Sequence, residues 1–248
     1  MKALKVIAEG ITTSFRYPHF MLGIHPTFEL PPPATIYGHI CSTLGEWVNP
    51  EGLEFAYHFT HQGAFDDVEH VHVVAASSGK LPGTKIPKVL DGAVNPFKRR
   101  MFFKPKLVLY LNKPEWESAF KSPYYPVVLG RSQDLFMYTS VEVVELEYSP
   151  QAYFEYTLAP YSMMLKMGRG YATLMPRYLD YTNSRQPTFA RYIILNRRID
   201  STEFIKYEAE SKDKNFLIDP TSPKVGNSNL GLWFHSFIGE HNDTPSLA

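Results

Sequence analysis

The sequence predicts an α+β fold in which a small sheet carrying two helices precedes a β-rich, loop-rich half. Three observations lead there. The first residues alternate as a strand does. A triple proline, Pro31-Pro32-Pro33, then gives way to apolar residues at helical spacing. Beyond Ser149-Pro150 the chain offers short apolar runs separated by Pro, Gly, Asn and Ser turns.

Lys2 to Glu9 places Leu4, Val6 and Ala8 on one face and Lys5 and Ile7 on the other, which predicts a strand. Thr13 to Pro18 follows as a basic, aromatic corner. The three prolines cannot lie inside a strand or a helix, because each lacks a backbone N–H and fixes φ; at a helix entrance that φ is favourable. Ile36, Ile40, Leu44 and Trp47 recur at helical spacing, and the helix ends at Gly45. Gly38 weakens it by about 1 kcal/mol relative to Ala, which is read as close packing of helix on sheet. Glu54 to Thr60 and Val68 to Ala76 read as strands, the second with Val71, Val73 and Ala75 on one face and His70 and His72 on the other. Pro105 to Leu111 is a further strand, Pro114 to Lys121 a short helix with Pro at its start, and Tyr138 to Tyr148 a strongly alternating strand. The order β-α-β-β-(insert)-β-α-β is close to a ferredoxin-like order with one inserted segment. The predicted division is therefore a ferredoxin-like unit over 1–149, with an inserted basic element at about 80–106, and a β-rich region over 150–248. Strands are expected there around Tyr153 to Leu158, Tyr192 to Asn196, Phe204 to Glu208 and Leu232 to Phe237. The polar tail from His241 to Ala248 is expected to fray.

Lys plus Arg and Asp plus Glu both number 25, so the 248-residue chain is neutral. A general nucleic-acid coat protein is more basic, but a local patch can supply the field. The single cysteine, Cys41, excludes an intrachain disulfide and a cysteine-based metal site, and its apolar helical setting predicts a buried thiol. Met1-Lys2-Ala3-Leu4-Lys5 has no long apolar core, so no signal peptide is expected. No run of about 18 apolar residues predicts a membrane span, and the cytoplasm is the default. Aromatic residues reach 15%, with 17 Phe, 16 Tyr and 3 Trp. They suit a β-rich core, and equally protein interfaces and base-stacking platforms.

The clearest charge feature is Lys80 to Lys106. It holds Lys80, Lys85, Lys88, Lys98, Arg99, Arg100, Lys104 and Lys106 against the single acid Asp91, and Pro82-Gly83, Pro87, Gly92 and Pro96 make much of it loop or hairpin. Met101, Phe102 and Phe103 follow the cations directly. Cations beside rings suit a contact that tracks phosphates and stacks on bases; a solvated flexible loop would also carry them. Gly130-Arg131-Ser132 follows an apolar strand, Pro126 to Leu129. Its glycine lets backbone approach another chain closely, its arginine can fork onto a phosphate, and its serine adds a donor. An ordinary turn with an exposed arginine fits as well. Gly168-Arg169-Gly170 is a fainter glycine-rich feature.

His58, His61, His70 and His72 lie close in sequence, but i,i+2 histidines are common on a polar strand face, and no carboxylate or cysteine set completes a metal site. A metal-independent ribonuclease needs a base, an acid and a cation near a 2′-hydroxyl; Tyr57, His58, His61 and Lys80 could supply them. The chain contains no Gly-x-Gly-x-x-Gly, P-loop, Gly-x-Ser-x-Gly or His-Glu-x-x-His motif.

Ser14-Phe15-Arg16, the turn Pro31-Pro32-Pro33-Ala34-Thr35-Ile36-Tyr37-Gly38 and Val128-Leu129-Gly130-Arg131-Ser132-Gln133-Asp134-Leu135, in this order, resemble the Cas-five subunit family of type I CRISPR Cascade complexes. That family is similar to the wider group of repeat-associated RNA-binding CRISPR proteins, and the subtype it most resembles is I-B-like. The motifs cover roughly the first 140 residues. The resemblance implies a ferredoxin-like (RRM-like) N-terminal domain with a projecting basic thumb and a β-rich C-terminal part. It further implies a non-catalytic role, without cofactor or metal, in capping the 5′ handle of the CRISPR RNA. The RNA-binding residues it suggests are Ser14, Phe15, Arg16, Lys80, Lys85, Lys88, Lys98, Arg99, Arg100, Lys104, Gly130, Arg131 and Ser132. The implied partners are a backbone subunit of the seventh-subunit type, a large subunit of the eighth-subunit type and target DNA near the PAM, with no membrane. Some relatives cut precursor CRISPR RNA, so an endoribonuclease is the alternative.

Overall fold

The structure, a computed structural model, describes residues 1–17, 23–88, 90–204 and 215–239. Its first half runs β1 (Lys2–Gly10), β2 (Thr12–Thr13), β3 (Ile24–His25), α1 (Pro33–Leu44), β4 (Glu54–Thr60), β5 (Gly63–Ala76), β6 (Leu90–Phe103), β7 (Lys106–Leu111), α2 (Glu117–Lys121) and β8 (Phe136–Glu145). Strands β4, β7, β1 and β8 stand side by side, antiparallel throughout. Each crossover, β1–α1–β4 and β7–α2–β8, leaves one strand between its ends. Leu4, Val6 and Ala8 face the helix layer with Phe55, Tyr57 and Phe59 of β4 and Leu107, Leu109 and Leu111 of β7, against Ile36, Ile40 and the buried Cys41 of α1. This follows the alternation of the sequence, since successive strand residues point to opposite faces.

The helix entrance forms as the prolines dictate. Pro33 is the first helical residue, and Gly45 closes α1 in the left-handed region at φ 80°, donating its N–H to Cys41 O at 2.9 Å. Gly38 departs from expectation: a Cβ built there meets nothing within 4 Å, so it faces open space and not the sheet.

The larger departure concerns the insert. Val68 to Ala76 belongs to no central strand. It is part of β5, which pairs with β6 from Gly63↔Phe103 to Ala76↔Leu90 as a hairpin of two 14-residue strands. Of the two readings of 80–106, loop or hairpin, the structure shows the hairpin, with Leu90–Phe103 as its second strand. Pro96 is tolerated because β6 has β5 as its only partner there among the described residues, and a proline can face an open edge.

The second half comprises β9 (Glu147–Ser149), β10 (Ala152–Phe154), β11 (Thr157–Pro160), α3 (Met164–Met167), β12 (Tyr171–Asp180), β13 (Gln186–Leu195), β14 (Ile199–Asp200), β15 (Phe216–Asp219), β16 (Asn229–Gly231) and β17 (His235–Ser236). Strands β12, β14, β15 and β16 have no counterpart among the expected strands, and residues 205–208 and 241–248 lie outside the described residues. One sheet runs β14-β10-β16-β15-β9 and another β11-β13-β12, while β17 joins β4 at the edge of the N-terminal sheet. Phe237 stacks on Phe55 at 4.6 Å, and Tyr178 meets Tyr37 edge-on at 5.0 Å. Buried Arg177 donates to the carbonyls of Ser236, Ile238 and Gly239 and to Ser236 Oγ, holding this segment in place. No helix among the described residues is long and apolar enough to cross a membrane.

The outer face of the N-terminal sheet is covered too, so Lys5 is buried and not solvated. Its Nζ donates to Asp219 Oδ2 at 2.7 Å and Thr221 Oγ1 at 2.8 Å, and Tyr110 donates to the same carboxylate at 2.7 Å. Burial alone would raise the Asp219 pKa, but these donors, Lys5 foremost, hold it below the usual carboxylate range. A depressed carboxylate stabilises the fold fully above its unfolded pKa of about 3.9 and loses that contribution as pH falls through the folded value. Lys5→Met should therefore destabilise the chain by about 3–5 kcal/mol, since it strands a buried charge, and Lys5→Met with Asp219→Leu should recover part of the loss. Urea unfolding at pH 7 checks this; a single variant with the wild-type midpoint would contradict it.

Candidate nucleic-acid interface

The site is built around the corner that follows β2. Thr12 and Thr13 pair with Phe103 and Phe102 of β6, and Ile24 and His25 of β3 pair with Lys98 and Arg99. The base of the hairpin is thereby fixed between two short strands. Ser14 and Phe15 are buried beside it; Phe15 packs on Phe59 at 5.4 Å and Phe102 at 6.4 Å, so its ring is core and unavailable to a base. Arg16 is exposed, tethered through a backbone bridge to Thr27.

Three of the expected RNA-binding arginines, Arg99, Arg100 and Arg131, are engaged within the chain. Arg99 is buried: Nη1 donates to Glu69 Oε2 at 2.6 Å and Nε to Ser14 Oγ at 3.1 Å, while His25 Nδ1 lies 3.2 Å from the same Glu69 oxygen. Burial raises the Glu69 pKa, but Arg99 and His25 outweigh it and leave it below normal. Burial also lowers that of Arg99, with Arg131 and Arg16 among the nearby cations adding to the effect. Arg131 forks onto the buried Asp134, Nε to Oδ2 at 3.0 Å and Nη2 to Oδ1 at 2.9 Å, and Thr12 Oγ1 donates to the same carboxylate at 3.1 Å. This bidentate pair raises the Arg131 pKa.

Val128, Leu129 and Gly130 form no strand beyond one bridge, Val128↔Leu135. Gly130 has φ +96°, and a Cβ there would lie 2.5 Å from Thr13 Oγ1 and 2.8 Å from Ser14 O. The close approach that glycine permits is to the chain's own β2 corner. Buried His39 donates from Nδ1 to Val128 O at 2.8 Å and accepts from Tyr138 at Nε2, 2.9 Å away; burial lowers its pKa. Ser132 is exposed. The structure thus gathers Ser14, Phe15, Arg16, Arg99, Gly130 and Arg131 at one corner, with the arginine charges partly met from within.

Lys80 and Lys85 stand exposed in the hairpin tip, Lys88 is half-buried, and Lys98 and Arg100 are exposed on β6. Arg100 pairs with Asp66 at 3.1 Å, Lys106 with Glu9 at 2.8 Å, and Lys104, at φ 47°, holds its Nζ 5.7 Å from the centre of the Phe103 ring. The positive charge counted along one segment is therefore countered by Asp66, Asp67 and Glu69 on the facing strand. Met101 and Phe102 are buried, the latter with His61 stacked on it at 4.2 Å; Phe103 alone of the three is exposed. Val68, Val73, Val74, Leu81, Ile86 and Val94 are exposed along the arm.

Other features of the sequence are dispersed. Tyr57 is buried and donates to Pro31 O, His58 lies 3.5 Å from Glu155, and Lys80 is in the hairpin tip, so the residues considered for acid–base cleavage do not converge. His70 and His72 are exposed on β5. Arg169 pairs with Glu203 at 2.8 Å, while Gly170, at φ +87°, abuts Ile193 and Ile194. Beside the β2 corner lies a groove of about 440 Å³, lined by Arg16, Gly38 and Gly130 and, from the second half, by Arg185 and Phe189. The sequence signal for Arg185 is confined to its turn context, Thr182-Asn183-Ser184.

No family model matches the chain, and no curated protein matches it in sequence. Its fold is shared with a chain of a CRISPR RNA-guided surveillance complex, 15% identical, over 80% of this chain and 89% of that one, with a TM-score of 0.50. A CRISPR protein from Archaeoglobus fulgidus is 12% identical over 81% and 91% of the two chains at a TM-score of 0.41, and a chain of a type III-B Cmr-beta complex bound to cognate target RNA is 12% identical over 85% and 90% at 0.42.

The two glycines of the site should respond oppositely. Gly130→Ala, strained in φ and blocked by backbone, should destabilise the fold by about 1–3 kcal/mol. Gly38→Ala, with open space before it, should stabilise α1 by up to about 1 kcal/mol. Thermal unfolding of both variants checks the pair, and equal shifts of the same sign would contradict the geometry.

Proposed function

We propose that the chain is a non-catalytic CRISPR RNA-binding subunit of a type I Cascade effector complex, a Cas-five family member that caps the 5′ handle of the CRISPR RNA. The observation that carries this reading is the long exposed hairpin, with Lys80, Lys85 and Lys98 accessible, rooted beside the corner that gathers Arg16 and Gly130-Arg131-Ser132. Charge supplied along an extended arm suits a flexible phosphate backbone. The motif resemblance to the Cas-five family and the fold shared with a surveillance-complex chain support it. In this reading residues 1–149 form a ferredoxin-like, RRM-like unit with the hairpin as its thumb, and the second half is its β-rich companion. The exposed apolar residues of the arm face the adjacent backbone subunit, and the large subunit and target DNA near the PAM lie beyond. The protein acts in the cytoplasm, in antiviral defence or RNA-guided DNA targeting of an I-B-like type.

Binding of a labelled CRISPR repeat RNA tests the proposal. Lys80, Lys85 and Lys98 replaced together by alanine should weaken binding and reduce the salt slope by about 2, at about 0.7 per lost contact with a single strand. A wild-type slope in the triple variant would sink the thumb assignment. The same incubation should leave the RNA intact; a discrete cut lost in His58→Ala would favour the endoribonuclease instead.

Removing 81–87 from the tip should leave the isolated fold stable, because no core residue lies there. It should also prevent entry into a complex with RNA and the backbone subunit. A full-size assembly on size-exclusion chromatography would overturn this.

A further inference from the structure

We infer that the groove between the β2 corner and the β12–β13 hairpin is a phosphate-binding site for single-stranded RNA, with Arg16 and Arg185 as its two arms. The inference rests on the RNA-binding reading and extends it to a part of the chain that carries no recognised motif. Among the described residues, those lining the groove include two arginines and no carboxylate. Neither arginine forms an ion pair or a side-chain hydrogen bond among the described residues. Arg99, Arg100, Arg131, Arg169, Arg177 and Arg198 all do. A groove with two uncompensated guanidinium groups and no acid attracts an anion, and a guanidinium fork matches phosphate oxygens.

The backbone around Arg185 strengthens the assignment. Ser184 and Arg185 lie at φ 51° and 59°, two successive non-glycine residues in the left-handed region. Such conformations persist only where the surroundings hold them, and they cluster at functional positions. Here the turn is held by Asp180, whose Oδ1 accepts from Thr182 N at 3.0 Å and Thr182 Oγ1 at 2.7 Å, and by Gln186 N donating to Asn183 O at 2.9 Å. Hydrogen bonding within the turn holds the Asp180 carboxyl below its usual pKa. On the helix side Gly38 leaves the groove unfilled. The volume of about 440 Å³ is within the range of small-molecule sites, about 300–1,000 Å³.

The test measures binding of the full chain to a labelled CRISPR repeat RNA and to decauridine across a salt series. Arg185→Ala should weaken binding about 10-fold, as expected for one charge-assisted hydrogen bond, and flatten the salt slope by about 0.7. Arg185→Lys should retain most of the slope. Arg185→Gly relieves the left-handed strain, so it should raise the thermal midpoint while losing binding as alanine does; this separates lost contact from lost fold. Arg16→Ala should lose a similar amount. If wild type binds RNA and the Arg185 variants bind equally well, the groove assignment is overturned while the RNA-binding reading stands. If wild type binds neither RNA, both are overturned. If polyglutamate binds more tightly than RNA and loses binding in Arg185→Ala, the occupant is an acidic protein segment and the RNA assignment is overturned.

Discussion

Arg99 and Glu69 sit on facing strands of the β5–β6 hairpin, yet their side chains turn inward, to Ser14 and His25, and meet each other at 2.6 Å. A two-stranded hairpin is marginal in water without further packing, and this one extends far beyond the sheet that supports it. The partly buried ion pair joins both of its strands to the two short strands that flank the β2 corner. Breaking such a pair from one side leaves an uncompensated charge. The orientation of the arm therefore depends on this junction, and the position of the exposed lysines depends on the arm.

The same junction explains how a neutral chain can carry a cationic surface. Cations near the body are matched: Arg99 by Glu69, Arg100 by Asp66, Arg131 by Asp134 and Lys106 by Glu9. Those farther out or beside the groove, Lys80, Lys85, Lys98, Arg16 and Arg185, have no such acid among the described residues. Paired arginines shape the corner and unpaired cations offer charge at its rim. A field made this way is local, and it needs no net positive charge.

The local parts of this architecture were legible in the sequence. Leu4, Val6 and Ala8 gave a strand face, three prolines gave the helix entrance, and Gly45 gave its end, because each acts through its own backbone or through period two or 3.6. Interactions distant in sequence were not legible. The partner of Val68 to Ala76 is a segment whose prolines argue against a strand, and only an open edge makes Pro96 admissible. Asp219 lies 214 residues from Lys5, so an alternating pattern could place Lys5 on the second face of the strand without showing the layer that buries it there. At the site, counting charges along the chain placed Arg99 among the ligands, and the Gly-Arg-Ser motif placed Arg131 there. Their acids come from β5 and from three residues downstream, and only the fold shows which carboxylates are near enough to bind them.

Photo-crosslinking tests most directly whether the β2 corner and its arm receive RNA. A CRISPR repeat carrying 4-thiouridine, irradiated with the full chain and mapped by mass spectrometry, should give adducts within 77–88 and at Gly130 to Ser132. Adducts concentrated instead around His58 and Glu155, with the arm and the corner unmodified, would contradict the account.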